Sequence, residues 1–409
     1  VEIFSQWKES VVYVTGPVLT AAAARPALEE FFRLPDKKIQ ESSIGSGFVI
    51  HSSGYILTNA HAAEKVIFHQ VALADGKTYP ADLVASIHEN DVALLKLDAG
   101  RPLKPVKLGL SGDVMVGENV IVIGNPHGLL HTCTTGVLSA VGRTTNVSDL
   151  QNLTLRDLLQ TDASINPGSS GGPWFNVLGE VIGLTASKKR DADNIGFAVP
   201  IATLRRLLPE MLDVERRYGL VTGLSLDSDG PCRVTAVQPD SPAAKAGIQA
   251  GDVLVRLADR PTPTVADFHL NLVGHKPQET ISLELLREGK PLSIALTLGL
   301  RPKPDGAALL QAKLGLAATP LAQAQAKAML LQVPCGLMVT AVDPKFYATV
   351  EHKPAPGDVL ARIGHLRPRD LEQVGLILEK VQSGQTVPLV MLRNKDNVAT
   401  RIDIKLVLP

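Results

Sequence analysis

The sequence predicts a mainly β protein of several domains, and three observations carry that expectation. Its 409 residues include 34 glycines and 28 prolines but only 4% aromatic residues, a composition suited to many turns. Short apolar runs separated by turn residues fill the first half of the chain, and the second half repeats itself. At roughly 100–200 residues per domain the length allows two to four domains. With 45% hydrophobic against 20% charged residues, each can bury a core.

Residues 1–212 read as successive strands. Ser10-Val-Val-Tyr-Val-Thr15 is the first. Ser46-Gly-Phe-Val-Ile-His51 and Tyr55-Ile-Leu-Thr58 flank Ser52-Ser-Gly54 and predict a hairpin. Val92–Leu97, Asn119–Gly124 and Glu180–Thr185 follow. Strands at this spacing suggest a barrel or sandwich. Ile201–Leu212 places apolar residues at helical spacing and predicts a closing helix. Between the first two strands, residues 17–43 hold an alanine run and Glu29-Glu-Phe-Phe32, expected as a surface loop with a short helix in which Phe31 and Phe32 pack locally.

Beyond residue 217 the motifs recur. Val234-Thr-Ala-Val237 returns as Val339-Thr-Ala-Val342, Gly251-Asp-Val-Leu254 as Gly357-Asp-Val-Leu360, and Leu286-Arg287 as Leu392-Arg393, about 105 residues later each time. These are tandem modules, and Leu300-Arg-Pro-Lys-Pro-Asp-Gly306 between them has linker composition. The expected division is 1–214, 217–301 and 307–409.

The formal net charge is zero, so nothing recruits nucleic acid or an anionic membrane. Ser187-Lys-Lys-Arg190 reads as solvated loop charge. Cys133, Cys232 and Cys335 are too far apart for a metal site and odd in number; they are expected as small buried thiols. No apolar run approaches the roughly 20 residues of a membrane span. Residue 1 is not Met, and Val1-Glu-Ile-Phe4 lacks a signal pattern, so a processed or trimmed form is expected. No Walker-type phosphate loop appears, and no metal or other cofactor is expected.

A hydroxyl nucleophile needs a base, a carboxylate to hold that base, donors for the oxyanion and a tight turn. Asn166-Pro-Gly-Ser-Ser-Gly-Gly-Pro173 supplies the turn and Ser170; the N–H groups of Gly168 and Ser170 are the candidate oxyanion hole. Taken alone, such a loop also fits a plain turn or an anion nest. Leu57-Thr-Asn-Ala-His61 supplies a base, His61, at a strand end. Asn90-Asp-Val-Ala-Leu-Leu95 supplies Asp91 at the mouth of an apolar strand.

Together the three segments resemble the HtrA/Deg family of trypsin-fold serine proteases. Thr58-Asn-Ala-His61, Asp91-Val-Ala-Leu-Leu95 and the serine loop are similar to that family's three motifs. Gly45-Ser-Gly-Phe48, Gly124-Asn-Pro126 with Gly128, Thr135-Gly-Val-Leu-Ser139, Thr161-Asp162 and Gly196-Phe-Ala-Val-Pro200 resemble it further, as does Glu30-Phe-Phe-Arg33. The departures are Ser169 for a usual Asn, Ala62 for Val and His127 for Phe. The resemblance implies a chymotrypsin-like double six-stranded β-barrel followed by two PDZ domains of α+β type.

Ser241-Pro-Ala-Ala-Lys-Ala-Gly247 and Gly251-Asp-Val-Leu254 resemble the family's PDZ domains, which add a peptide to a sheet edge and capture its C-terminal carboxylate. The matching loop is Thr222-Gly223-Leu224, with Leu226 and Leu270 lining the pocket. The second copy lacks the Ser-Pro-Ala-Ala run, which puts its peptide binding in doubt. No acid stands among the residues entering the serine loop; the resemblance implies that Ile165 helps form a small apolar specificity pocket and that Leu184, Thr185 and Ala186 pair with the substrate backbone. Cleavage after Val, Ala or Leu in unfolded chains is expected. The resemblance further implies homotrimers or multiples of trimers, C-terminal peptides as ligands of the first PDZ domain, and a periplasmic setting. Beside an ATP-independent quality-control endoprotease stand two alternatives: a chaperone or peptide-binding scaffold with a mostly latent protease, and a site-specific regulatory protease triggered through the first PDZ domain.

Overall fold

The computed structural model describes residues 1–16, 42–64, 66, 69–110, 114–125, 131–147, 153–188, 193–228, 230–322, 325–326, 336–395 and 398–408. The expected loop with Phe31 and Phe32, His127 and Cys335 lie outside them. One compact unit holds Val1–Gly16 and Ser42–Arg301; a second covers Pro302–Pro409.

The first unit opens on helix α1 (Glu2–Trp7) and six strands: β1 (Val11–Gly16), β2 (Ser42–His51), β3 (Tyr55–Thr58), β4 (His69–Ala72), β5 (Thr78–Ile87) and β6 (Val92–Leu97). They close into a barrel in the order β1-β2-β3-β6-β5-β4. The β2–β3 hairpin is where the turn residues place it. Gly54 has φ +95°, and a Cβ there would stand 2.3 Å from Leu97 O, so glycine is required. Helix α2 (Ala60–Glu64) follows β3 directly, its Ala60, Ala62 and Ala63 buried.

The second barrel uses β7 (Lys107–Leu108), β8 (Asn119–Gly124), β9 (Thr132–Val147), β10 (Leu153–Thr161), β11 (Pro173–Phe175), β12 (Glu180–Lys188) and β13 (Gly196–Pro200). The order β11-β8-β9-β10-β13-β12 closes on itself through β11–β12 pairing, and β7 adds to β12 in parallel. Two six-stranded barrels result, as expected. Cys133 is a correction: it lies on the side of β9 that alternates outward and is exposed, whereas Cys232 is buried.

Helix α3 (Ile201–Leu212) has the expected bounds and buries Ile201, Leu204, Leu208, Met211 and Leu212, each contributing about 1.5–3 kcal/mol. A short helix, α4 (Val214–Tyr218), leads into the first repeat module. This comprises β14 (Leu220–Val221), β15 (Leu224–Leu226), β16 (Val234–Val237), α5 (Pro242–Lys245), β17 (Val253–Leu257), β18 (Arg260–Pro261), α6 (Val265–Leu272), β19 (Thr280–Arg287), β20 (Lys290–Thr297) and β21 (Gly299–Leu300). β15 pairs with β16, β14 with β21, and β18-β17-β19-β20 form the main sheet.

The expected boundary near residue 214 falls inside this unit because the module packs on the barrels. Arg205 of α3 is buried at the seam. Its guanidinium donates to Gly109 O (2.7 Å), Leu108 O (2.9 Å), Thr264 Oγ1 (2.7 Å) and Asp267 Oδ2 (2.8 Å). Thr264 and Asp267 are the capping box of α6, so one arginine joins the barrels to a helix start. Nearby, Arg260 approaches His51 Nε2 at 3.4 Å, and burial, with Arg260 and Lys96 beside it, lowers the His51 pKa to about 4.

The second unit repeats the plan with α7 (Gly306–Leu314), β22 (Leu316–Pro320), β23 (Leu337–Val342), β24 (Val359–Ile363), α8 (Leu371–Glu379), β25 (Thr386–Lys395) and β26 (Val398–Val407), paired in the order β22-β23-β24-β25-β26. Where the first module has α5, capped by Ser241, the second has a single 3₁₀ turn, Pro344–Tyr347, capped by Asp343. The repeated sequence pairs meet in space. Arg287 grips buried Asp252 with two bonds of 2.8 Å and donates a third to Gly247 O. Arg393 grips Asp358 at 2.7 and 2.8 Å and donates to Lys353 O. The Arg287 guanidinium holds Asp252 below the usual carboxylate range. Arg287→Gln is expected to destabilise the first module, since it strands a buried carboxylate; a lower urea midpoint for the variant checks this, with exposed Lys290→Gln as the unaffected control.

Candidate active site

His61 sits in the first turn of α2, just past the end of β3. Asp91 enters β6 from a 3₁₀ turn in the left-handed region, φ +56°, which Asp tolerates better than most side chains. Its carboxylate is fully buried. It accepts from His61 N at 2.9 Å and lies 2.9–3.0 Å from His61 Nδ1 through both oxygens. An ionised carboxylate only accepts, so Nδ1 carries the proton and Nε2 the lone pair. Asn59 Nδ2 donates to Asp91 O at 3.0 Å and locks the pair to the helix start.

Ser170 comes from the second barrel. Asn166–Ser169 is a β-turn closed by Ser169 N to Asn166 O at 2.9 Å. Pro167 precedes Gly168, whose φ of +96° is the type II signature. Ser46 of β2 then clamps the turn. Its N–H donates to Ser170 O (2.7 Å), its hydroxyl donates to Gly168 O (2.7 Å) and accepts from Asn125 N (2.8 Å), and its carbonyl accepts from Thr58 Oγ1 (2.7 Å). A Cβ on Gly171 would stand 2.1 Å from Ser46 O, and one on Gly45 2.6 Å from Ser170 O, so both glycines permit the approach. From the far side, Gly171 N donates to Thr185 O at 2.8 Å and Thr185 N to Gly172 O at 2.9 Å. Among the described residues the N–H groups of Gly168 and Ser170 carry no hydrogen bond within the chain, and none joins Ser170 to His61. The half-buried serine and two uncommitted donors thus lie on a turn clamped by the first barrel, the barrel that carries the buried Asp–His pair, and Gly45 lies against both Ser170 O and Ala62, the neighbour of His61.

Residues 45–184 match the family model described as a trypsin-like peptidase domain, and residues 213–298 match the PDZ domain model. The chain is 33% identical over 403 residues to a probable periplasmic serine endoprotease, DegP-like, of Pseudomonas fluorescens, covering 90% of this chain and 82% of the relative. The chain belongs to the HtrA/Deg family of serine endoproteases. A DegP-like relative from Halomonas elongata is 33% identical over 379 residues, covering 87% of this chain and 77% of its own. The periplasmic pH-dependent serine endoprotease DegQ of Escherichia coli is 33% identical over 303 residues, covering 68% of this chain and 66% of its own. The protein is a serine endopeptidase, and no helix among the described residues is long and apolar enough to cross a membrane.

Within this HtrA/Deg protease the remaining expected residues divide. Ile165 is buried against Gly196, where a Cβ would stand 2.4 Å from Ile165 Cγ1. Thr185 is corrected. Its backbone N–H and C=O are committed to Gly172 and Gly171, and its hydroxyl donates to Gly172 O and accepts from Trp174 Nε1. Leu184 is likewise flanked on both sides, by Pro173 and Val199. Among the described residues the strand edge facing β11 is free only from Ala186 onward, because β11 ends there. Thr222, Gly223, Leu224 and Leu226 come together: Leu224 and Leu226 line a cavity of about 380 Å³ with Val265, Phe268 and His269 of α6. Leu270 is not among its lining residues; it is buried on the other face of that helix. Burial lowers the His269 pKa to about 4, and its buried Nδ1 has no hydrogen-bond partner among the described residues.

Sequence reasoning assigned no individual role to Ser46, Asn125 or Arg205, although the segments Gly45-Ser-Gly-Phe48 and Gly124-Asn-Pro126 were part of the family resemblance. Gly45-Ser46-Gly47 and Gly124-Asn125 were the available signals, since glycines beside a polar residue mark close backbone approach. Ser46→Ala is expected to lower kcat/KM by about ten- to a hundredfold while costing about 1–3 kcal/mol of stability, because Gly168 O and Asn125 N lose their partner. Steady-state kinetics and thermal unfolding of the variant separate the two effects.

Proposed function

We propose that the protein is an ATP-independent quality-control endoprotease that cuts unfolded polypeptides after small or medium apolar residues, with Ser170 as nucleophile, His61 as base and Asp91 as the group orienting it. The observation that carries this reading is the buried Asp91–His61 pair beside a serine turn gripped from both barrels. His61 Nε2 takes the Ser170 proton as Oγ attacks the scissile carbonyl, and Asp91 stabilises the imidazolium that forms. The N–H groups of Gly168 and Ser170 receive the oxyanion, and His61 returns the proton to the leaving amine. Ile165, packed against Gly196, gives the specificity pocket an apolar wall and offers no charge to Lys or Arg. The substrate backbone adds to β12 from Ala186, beyond the part used by β11.

The working division is a protease of residues 1–214, a first PDZ module of 217–301 that takes C-terminal peptides, and a second module of 307–409. Trimers or multiples of trimers and a periplasmic location complete the proposal, supported by the relatives' names for the location and by family membership for the assembly. A mostly latent protease with a scaffold role is the second reading, favoured by the absence of a Ser170–His61 hydrogen bond among the described residues.

A fluorophosphonate probe is expected to label Ser170, with labelling and casein cleavage both lost in Ser170→Ala. Unlabelled enzyme that still holds unfolded protein in solution favours the scaffold. Cleavage-site profiling on an unfolded substrate is expected to give Val, Ala or Leu before the cut; a profile dominated by Arg, Lys or Asp rejects the pocket.

A further inference from the structure

We propose that Glu215 sets what the first PDZ groove accepts, because its carboxylate occupies the seat a ligand's C-terminal carboxylate would take. The proposal rests on the reading of this module as a receptor for C-terminal peptides. In that mode the backbone N–H groups of the loop before the edge strand receive the carboxylate, and the last side chain enters an apolar pocket. Here the loop is Thr222-Gly223-Leu224, leading into β15, and the pocket is formed by Leu224, Leu226, Val265 and Phe268.

The loop is already filled from within. Glu215 Oε1 accepts from Thr222 N at 2.9 Å and from Thr222 Oγ1 at 2.5 Å. Leu224 N in turn donates to Thr222 Oγ1 at 3.3 Å. Two of the three loop amides are thus committed to a network that ends on a carboxylate, and Gly223 N alone is uncommitted among the described residues. The loop cannot open sideways to make a second seat. Gly223 has φ +78°, and a Cβ there would stand 2.1 Å from Ser241 Cβ, while Thr222 O accepts from Ala243 N. Glu215 also lines the same cavity as Leu224 and Leu226, whose other charged residues are Glu210, Asp213, Arg206 and Arg301, so the carboxylate in the loop stands inside the groove itself. A peptide with a free C-terminus must therefore expel Glu215 from the loop, whereas a peptide whose terminus is neutral gains nothing from that exchange.

Binding is measured by fluorescence polarisation on the full chain carrying Ser170→Ala, with heptapeptides ending in Val, Leu or Phe, each as free acid and as amide. Glu215→Ala is expected to tighten binding of the acids about tenfold or more and to leave the amides unchanged. Glu215→Gln, which keeps the length and loses the charge, is expected to fall between. Acids that bind the parent and Glu215→Ala equally overturn the proposal and leave the peptide-receptor reading standing. An equal gain for acids and amides also overturns it, since a side chain that merely fills space would act on both. If no peptide of the set binds either protein, the receptor reading and the proposal fall together.

Discussion

Ser46 gives its N–H to Ser170 O and its hydroxyl to Gly168 O, both at 2.7 Å, so a strand of the first barrel holds a turn that the second barrel carries. The rest of the catalytic geometry depends on that grip. The proposed nucleophile belongs to one barrel, and its proposed base and orienting acid belong to the other. Neither barrel could fix the distance between them alone. The clamp is also why the surrounding residues are small. Gly45 and Gly171 have no space for a Cβ, and Thr58 uses its hydroxyl to hold the Ser46 carbonyl rather than to meet substrate.

The second barrel answers with its own grip. Thr185 spends its backbone and its hydroxyl on Gly171, Gly172 and Trp174, so the strand that binds the serine turn from behind is free for a peptide only further along. β12 also pairs with β7, whose Leu108 carbonyl, like that of neighbouring Gly109, is held by Arg205. Arg205 ends on the capping box of α6, one wall of the PDZ groove. The groove and the serine turn are thereby built on one hydrogen-bonded framework. A buried arginine with four partners resists removal strongly, because losing any partner leaves a charge or a carbonyl unpaired in the interior.

The candidate triad was legible because His61, Asp91 and Ser170 lie in three segments that together resemble the HtrA/Deg motifs; a strand end, a strand mouth or a glycine turn alone would not have marked them. The helix Ile201–Leu212 and the Ser52–Gly54 hairpin were legible by periodicity and turn chemistry. The repeat was legible too, although not its purpose. Asp252 and Arg287 looked like repeated wording, and the structure turns them into one ion pair present in both modules. Thr185 was misread as a substrate contact because a strand written in sequence does not say which neighbour takes each edge.

Sequence alone determined the elements, the chemistry and the order of the modules, since alternation, turn residues and motif identity are short-range properties written along the chain. Tertiary structure decided what long-range approach controls: that Ser46 clamps Ser170 from 124 positions earlier in the chain, that Arg205 joins the barrels to α6, and that Glu215 fills the loop of Thr222. A hydrogen bond between distant residues depends on how whole strands and helices pack. No local pattern encodes that packing, so an ordinary serine, arginine or glutamate shows its role only when its partners are in place.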